Sequence, residues 1–301
     1  MTFNEGMQID TSNTSTSGGG GGRGMAIGGG VGGLLVVVVA LFLGIDPSTI
    51  SGQQGQGAAA SQAGAGGSAG GSSYDLTKCK TGADANKYLE CKIVATGNSV
   101  DGVWSQLLKG YTPPHMRLFR DEVQTACGPA NTDVGPFYCP GDKTAYFDAS
   151  FFQTLVDQFG SSGGPLAQEY VVAHEYGHHV QDLLGDIGKA QRGPQGANGN
   201  SVRTELQADC YAGIWAHYAS TVKQKATGVP FMDPLTDKDI NDALSAASSV
   251  GDDHIQKQMQ GRVNPESWTR GSSAERQKWF TIGYKTGDPK QCDTYNARSL
   301  S

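Results

Sequence analysis

The chain has 301 residues, a formal net charge of −6 at pH 7 and 44 glycines. This acidic balance gives no electrostatic support for nucleic-acid binding, so no nucleic-acid partner is expected. The glycines are concentrated in the first quarter, and the remainder has the composition of one globular domain of about 230 residues.

An apolar run comes first along the chain. Residues 25–45 read "MAIGGGVGGLLVVVVALFLGI" and contain no charged residue. About 20 apolar residues suffice to cross a lipid bilayer as a helix, so the run predicts a transmembrane helix. The alternative is a cleaved signal peptide, but the apolar core of such a peptide usually has only about 7–15 residues.

The residues on either side of this run predict its orientation. Arg23 lies just before it, and the next basic residue is Lys78. Basic residues favour the cytoplasmic side, which places residues 1–24 in the cytoplasm as a disordered tail. Residues 46–73 are rich in Gly, Ser, Ala and Gln and predict a flexible linker. We therefore expect a single-pass protein of the cell membrane, with residues 74–301 forming an extracytoplasmic domain.

Six cysteines lie after the apolar run, at positions 79, 91, 127, 139, 210 and 292. An even number in an oxidising compartment predicts three disulfides. The simplest pairing joins neighbours along the chain, namely Cys79–Cys91, Cys127–Cys139 and Cys210–Cys292. If the domain faced a reducing compartment instead, six buried thiols would be expected.

The periodic patterns of the domain are mostly helical. The stretch "GPFYCPGDKTAYFD" predicts a short hairpin, with strands at 137–139 and 144–147 around a Pro-Gly-Asp turn. Apolar spacing, capping residues and glycine stops predict the helices, at about 99–108, 151–159, 165–184, 202–222, 236–250 and 272–286. The domain is therefore predicted to be α+β and mainly helical, with one small sheet.

The stretch "AHEYGHHVQDLL", residues 173–184, carries the strongest chemical signal. His174, Glu175 and His178 form an H-E-x-x-H motif. Residues four apart lie on one face of a helix, so both imidazoles can bind a single Zn²⁺ ion. Glu175 is rotated from His174 by about 100°, towards the open coordination position, where it can take a proton from a bound water. The alternative is a solvated, histidine-rich helix face. His179 points away from the motif and is interpreted as structural.

A catalytic zinc site usually has three protein ligands, so a third is expected elsewhere. The stretch "SVRTELQADCYAGIWA" holds Glu205 and Asp209, two acids one helical turn apart among apolar residues. Glu205 suits the third ligand position, and Asp209 can accept a hydrogen bond from the far nitrogen of a ligating histidine. The alternative is that both are ordinary acidic residues of a helix.

Together these motifs resemble the gluzincin metallopeptidases, and more specifically the bacterial "putative neutral zinc metallopeptidase" family. The resemblance runs from about residue 74 to 296 and rests on five blocks in order: "FYCPGDKTAYFD", "EYVVAHEYGHHVQDLLG", "SVRTELQADCYAGIWA", "VGDDHIQKQMQGRVNPESW" and "GSSAERQKWFTIGYKTGDPKQCDTY". The N-terminal apolar run and the Gly-rich linker also fit the layout of that family. The resemblance implies a zincin-like fold, one catalytic Zn²⁺ ion and hydrolysis of peptide bonds.

One position departs from the family's pattern. The family usually has a histidine where this chain has Arg270, in "SWTRGSS". The resemblance makes this position a candidate for stabilising the oxyanion, and an arginine can also donate hydrogen bonds to an oxyanion. His254 and nearby tyrosines are alternatives for this role. His115 and His217 are interpreted as ordinary surface or core-edge residues.

These observations favour a membrane-anchored zinc endopeptidase that acts on peptide or protein substrates, with Glu175 as general base. The strand at Thr144–Phe147 either offers an edge for pairing with an extended peptide or is an edge without a substrate role. One alternative is a catalytically silent module that binds a partner outside the cell membrane. Another is a disulfide-rich ectodomain with an incidental histidine cluster. The presence of Glu175 favours the enzyme, because a silent relative has little need of a base.

Overall fold

The computed structural model describes residues 2–17 and 73–301. Their strands are β1 (Thr14–Ser17), β2 (His115–Phe119), β3 (Glu122–Thr125), β4 (Gly128–Asn131), β5 (Phe137–Cys139) and β6 (Thr144–Asp148). Their helices are α1 (Gly82–Lys87), α2 (Leu89–Leu107), α3 (Phe151–Asp157), α4 (Pro165–Leu184), α5 (Asn200–Tyr218), α6 (Asp237–Ser249), α7 (Asp252–Gln260) and α8 (Ser273–Thr286). The prediction of a mainly helical α+β domain with a small sheet is confirmed. The predicted transmembrane helix at 25–45 and, apart from Ser73, the predicted linker lie outside the described residues.

The main sheet has four strands in the order β1-β2-β6-β5. β1 and β6 run parallel to β2, whereas β5 pairs antiparallel with β6 across the predicted hairpin. The prediction of a free edge at Thr144–Phe147 is wrong, because β6 is fully buried and paired on both sides. The edge strands of this sheet, among the described residues, are β1 and β5 instead. β3 and β4 form a separate antiparallel pair.

Local sequence explains where the main helices begin and end. α4 begins at Pro165, which has no N–H to leave unpaired in the first turn, and ends at Gly185, whose φ of 77° suits a left-handed cap. These bounds agree with the prediction. Two capping boxes begin α6 and α8, as predicted, through the pairs Thr236/Asp239 and Ser272/Glu275.

Helices α4, α5 and α8 pack side by side, with α5 in contact with both of the others. α5 and α8 cross at two glycines. A Cβ atom on Gly213 would collide with the carbonyl oxygen of Phe280, and one on Gly283 with that of Cys210. Because neither helix carries a side chain at the crossing, the two backbones lie close enough for a side chain of α8 to reach the acids of α5.

Residues 2–17 pack against the domain, so the prediction of a disordered tail at residues 1–24 is wrong for this part. Phe3 and Met7 are buried, and β1 extends the sheet at β2. The backbone of the segment forms hydrogen bonds with residues that are distant in sequence. Such contacts cannot be predicted from the polar composition of the segment.

Three disulfides join the predicted pairs, Cys79–Cys91, Cys127–Cys139 and Cys210–Cys292. The last of these ties the C-terminal segment to α5. No helix within residues 2–17 and 73–301 combines the length and the apolar character needed to cross a membrane.

Candidate metal centre and active site

Helices α4 and α5 bring the three predicted ligands together. Nε2 of His174 lies 3.5 Å from one carboxylate oxygen of Glu205, and Nε2 of His178 lies 3.4 Å from the other. The potential ligand atoms of all three residues lie within 4.8 Å of one another. Two imidazole nitrogens and a carboxylate oxygen form a donor set of catalytic zinc sites. The residues therefore fit a single Zn²⁺ ion.

The far nitrogens of both imidazoles are hydrogen-bonded, which fixes how the rings point. Nδ1 of His174 donates to Asp209 Oδ1 at 2.9 Å, and Nδ1 of His178 donates to Gln181 Oε1 at 2.8 Å. Gln181 in turn donates to the carbonyl oxygen of Thr204 at 2.7 Å. Each ring then presents Nε2 to the metal position, as a ligating histidine requires. Asp209 takes its predicted place. The sequence analysis missed Gln181, although it lies on the helix face of His178, three residues on.

Arg276 of α8 completes the network, and the sequence analysis missed it too. Its guanidinium donates to both carboxylate oxygens of Asp209, at 2.8 Å and 2.9 Å, and to the hydroxyl of Tyr170 at 3.2 Å. The residue is 2% exposed. Tyr170 also donates to Asp209. Asp209 therefore accepts from three groups at once, and this holds its carboxylate in position behind His174.

The charges of the site favour a cation next to His174. Burial lowers the pKa of His174, but the charge of Asp209 and the hydrogen bonds to Asp209 and Glu205 outweigh burial and raise the pKa to about 9. Burial raises the pKa of Glu205, yet its hydrogen bonds with His174 and His178 hold that pKa well below its usual range. The site is therefore electronegative enough to hold a proton or a metal ion.

Glu175 lies beside the ligands and is 8% exposed. Burial raises the pKa of its carboxyl group, and the neighbouring His174 and His178 oppose that rise. An elevated pKa brings a carboxylate closer to the range in which it can both take and return a proton near neutral pH. The position and the environment of Glu175 therefore suit a general base.

Gly177 lets the two ligand-bearing helices approach each other. A Cβ atom at this position would lie 3.0 Å from the carbonyl oxygen of Ala208 on α5, tighter than an ordinary contact. A glycine inside a helix lowers the stability of the helix by about 1 kcal/mol relative to alanine. The close contact between α4 and α5, which carries Glu205 towards the histidines, explains why the residue is a glycine here.

The ligands and Glu175 line a cavity of about 510 Å³. Arg270 and Arg276 line it as well, so the predicted Arg270 shares the site with the motif residues. Much of the remaining wall is apolar and is formed by Val134, Pro136, Phe137, Phe151, Val171 and Val250. The edge strand β5 supplies part of this wall, so the cavity opens beside an unoccupied strand edge of the described sheet.

A carboxylate fixes the loop that carries Arg270. One oxygen of Asp252 accepts hydrogen bonds from the consecutive backbone N–H groups of Thr269, Arg270 and Gly271, at 2.8, 2.6 and 2.9 Å. His254, the alternative for the oxyanion role, instead bonds to the carbonyl oxygen of Phe159 at 3.0 Å. Arg270 lines the cavity and His254 does not, so the geometry favours Arg270 over His254 for the oxyanion role.

The remaining histidines have contacts of their own. His179 bonds to the hydroxyl of Tyr138 at 3.0 Å and to the carbonyl oxygen of Thr112 at 2.7 Å, in agreement with a structural role. His217 bonds to the carbonyl oxygen of Tyr284. His115 lies in β2 and bonds to Ser15 of β1.

A second buried acid of α4, Glu169, plays no part in this site. It is 1% exposed, and its carboxylate oxygens have no hydrogen-bond partner among residues 2–17 and 73–301. Burial raises its pKa from 4.5 to about 8, and the charge of Lys92 opposes the rise. A folded-state pKa above the unfolded value means that the native protein binds the extra proton. Stability contributed by this group is therefore lost as the pH rises from about 4.5 towards 8.

The substitution Glu169→Gln is expected to raise the free energy of unfolding at pH 8 by about 1–3 kcal/mol, because the native wild-type protein must there either hold an extra proton or bury an unpaired carboxylate, and the neutral amide does neither. At pH 5 the gain should be small, because the native carboxyl is already protonated there. Urea unfolding of both proteins at the two pH values measures the difference. A loss of stability at pH 8 would contradict the prediction and show that Glu169 is ionised and paired.

Comparisons with known proteins place the chain among relatives. The family model described as "Putative neutral zinc metallopeptidase" matches residues 4–295. Uncharacterized proteins of Mycobacterium tuberculosis (strain H37Rv) and Mycobacterium bovis are 67% identical to this chain over 300 residues, which are 100% of it and 100% of each of them. The uncharacterized protein YpfJ of Escherichia coli (strain K12) is 41% identical over 217 residues, 70% of this chain and 72% of its own.

No solved structure matches the chain, so the zincin-like fold stays a prediction. The family match covers nearly the whole chain and includes both helices of the candidate metal centre. The chain belongs to the putative neutral zinc metallopeptidase family.

Proposed function

We propose that this protein is a zinc-dependent endopeptidase. The observation that supports it best is the convergence of His174, His178 and Glu205, with both rings oriented from behind by Asp209 and Gln181. An incidental histidine cluster does not require hydrogen bonds that fix the orientation of its imidazole rings, whereas a metal site depends on such hydrogen bonds. Membership of the family supports zinc-dependent peptidase activity at a general level.

The residues of the cavity supply the remaining parts of a hydrolytic mechanism. When bound by the three ligands, a zinc ion would polarise the scissile carbonyl group and lower the pKa of a water molecule to near 7. Glu175 takes the proton of the attacking water and delivers it to the leaving amine. Arg270 donates hydrogen bonds to the developing oxyanion. Arg276 holds Asp209, and through it the ring of His174.

The cavity also indicates how a substrate binds. β5 ends the sheet at the site, so an extended peptide can pair its backbone with this edge. The apolar wall suits an apolar side chain next to the bond that is cut. Contact with a bilayer through residues 25–45 rests on the sequence alone, because these residues lie outside those that the structure describes.

The function is tested by zinc content and peptide cleavage on the purified full chain. We expect one zinc per chain and cleavage of an unfolded protein substrate, which a chelator abolishes and added zinc restores. His178→Ala should lose the zinc, whereas the matched variant His254→Gln, outside the cavity, should keep it. Zinc without cleavage of any substrate would favour the silent binding module. A protein without zinc would refute the metal centre.

A further inference from the structure

The domain binds residues 2–17 through contacts of the kind that a peptide-binding protein makes with its peptide. Three side-chain amides of the domain each hydrogen-bond both the N–H and the C=O group of a single residue in this segment. These pairs are Asn86 with Phe3, Gln224 with Gln8, and Asn98 with Asp10, at distances between 2.6 and 3.0 Å. An amide that pairs with both groups of one residue takes the place of a neighbouring β-strand, and it recognises backbone rather than side chains.

The shape of the domain also fits the segment. Phe3 and Met7 are 1% and 0% exposed and join the main core. Gly82 donates its N–H to the carbonyl oxygen of Met7 at 3.1 Å, and a Cβ atom on Gly82 would collide with the carbonyl oxygen of Asn4. Because Gly82 has no side chain, the backbone of the segment can lie directly against the start of α1.

The segment ends in regular sheet pairing. β1 pairs in parallel with β2 over four residues, from Thr14 opposite Met116 to Ser17 opposite Phe119. Just before it, the side-chain amide of Asn13 donates to the carbonyl oxygen of Pro114 at 2.6 Å. The contacts thus extend along the whole segment, from Phe3 to Ser17, and they involve helices, a loop and the sheet. The match to the family model begins at residue 4 and so includes this segment.

We propose that residues 2–17 are a constitutive part of the folded domain, and that the two lie on the same side of any membrane that the protein meets. Hydrogen bonds and buried side chains of this kind form only within one compartment. The chain that joins the two parts must then end on the side on which it starts. This arrangement disagrees with the single-pass topology predicted from the sequence, and the inference does not depend on the proposed catalysis.

Labelling of single thiols in intact cells tests the placement. All six native cysteines are paired in disulfides, so a new thiol is the one that reacts. Ser12→Cys and Lys285→Cys put an exposed thiol on the segment and on the domain, respectively. A membrane-impermeant maleimide should label both variants to the same extent, whether both react in intact cells or both react only after lysis. Labelling of one in intact cells and of the other only after lysis would overturn the proposal.

The stability of the purified full chain tests the docking itself. Asn98→Ala removes both hydrogen bonds to Asp10, so we expect a lower Tm although alanine is the better helix former. Gln106→Ala, at an exposed position of the same helix α2, is the matched control and should leave the Tm nearly unchanged. An Asn98→Ala protein whose Tm equals or exceeds that of the control would show that the segment is not docked.

Discussion

Glu175→Gln is expected to lower the rate of peptide cleavage by about 10²–10⁴-fold, the usual contribution of a positioned general base. The amide has nearly the same shape as the carboxylate but cannot accept the proton of the attacking water. The zinc content should stay at the proposed one per chain, because the proposed ligand atoms belong to His174, His178 and Glu205. Cleavage assays and metal analysis on the same preparation measure both quantities.

The same helix provides the control for this variant. Glu169 is also a buried glutamate of α4, but it does not line the cavity, so Glu169→Gln should cleave at the wild-type rate. A Glu175→Gln protein that retains more than about a tenth of the activity would be inconsistent with the general-base role, given the usual size of that effect. Equal losses in both glutamine variants would point to a change in folding instead.

Arg276→Met is expected to destabilise the protein by about 3–5 kcal/mol, because it leaves the buried carboxylate of Asp209 without its cation. Zinc affinity should also fall by about 10–100-fold, since Asp209 is the hydrogen-bond acceptor that orients His174. Denaturant unfolding and competition with a chelator measure the two effects. Both should appear although Arg276 itself is not a metal ligand.

Two further variants separate charge from geometry. Arg276→Lys keeps the positive charge but loses the two-pronged contact with Asp209, so we expect an intermediate loss of stability. The double variant Arg276→Met with Asp209→Asn should be less destabilised than the sum of the single variants, because the unpaired charge is gone. A stability of Arg276→Met within about 0.5 kcal/mol of wild type, as for an exposed position, would contradict the buried ion pair.

Long periodic segments of the fold were predictable from sequence. α4 matches its predicted bounds because Pro165 and Gly185 mark both ends, whereas α5 ends at Tyr218, four residues before the predicted end. α7 was missed because its short polar pattern, Asp252–Gln260, has little apolar periodicity. The strands β1 to β4 were missed because each has only four or five residues, and β1 depends on pairing with a strand about a hundred residues away.

Some residues of the candidate site were likewise predictable from the sequence, and others were not. The motif spacing on one helix predicts His174, Glu175 and His178, and the second helix pattern predicts Glu205 and Asp209. Arg276 could not be assigned from its own segment, because its direction depends on the glycine crossing of α5 and α8. The free edge was placed on the wrong strand, since hairpin sequences do not show which strand acquires a further neighbour.

The docking of residues 2–17 sets an order of events during synthesis. Phe3 is made well before its bridge partner Met232, which follows more than two hundred residues later. At roughly 5–20 residues per second, the N-terminal segment waits on the order of 10–50 s for the last part of its binding surface. Contacts so distant in sequence also form slowly, because a long loop must close first. During that interval the segment is an accessible extended peptide, and any factor that binds such peptides competes with the unfinished domain for it.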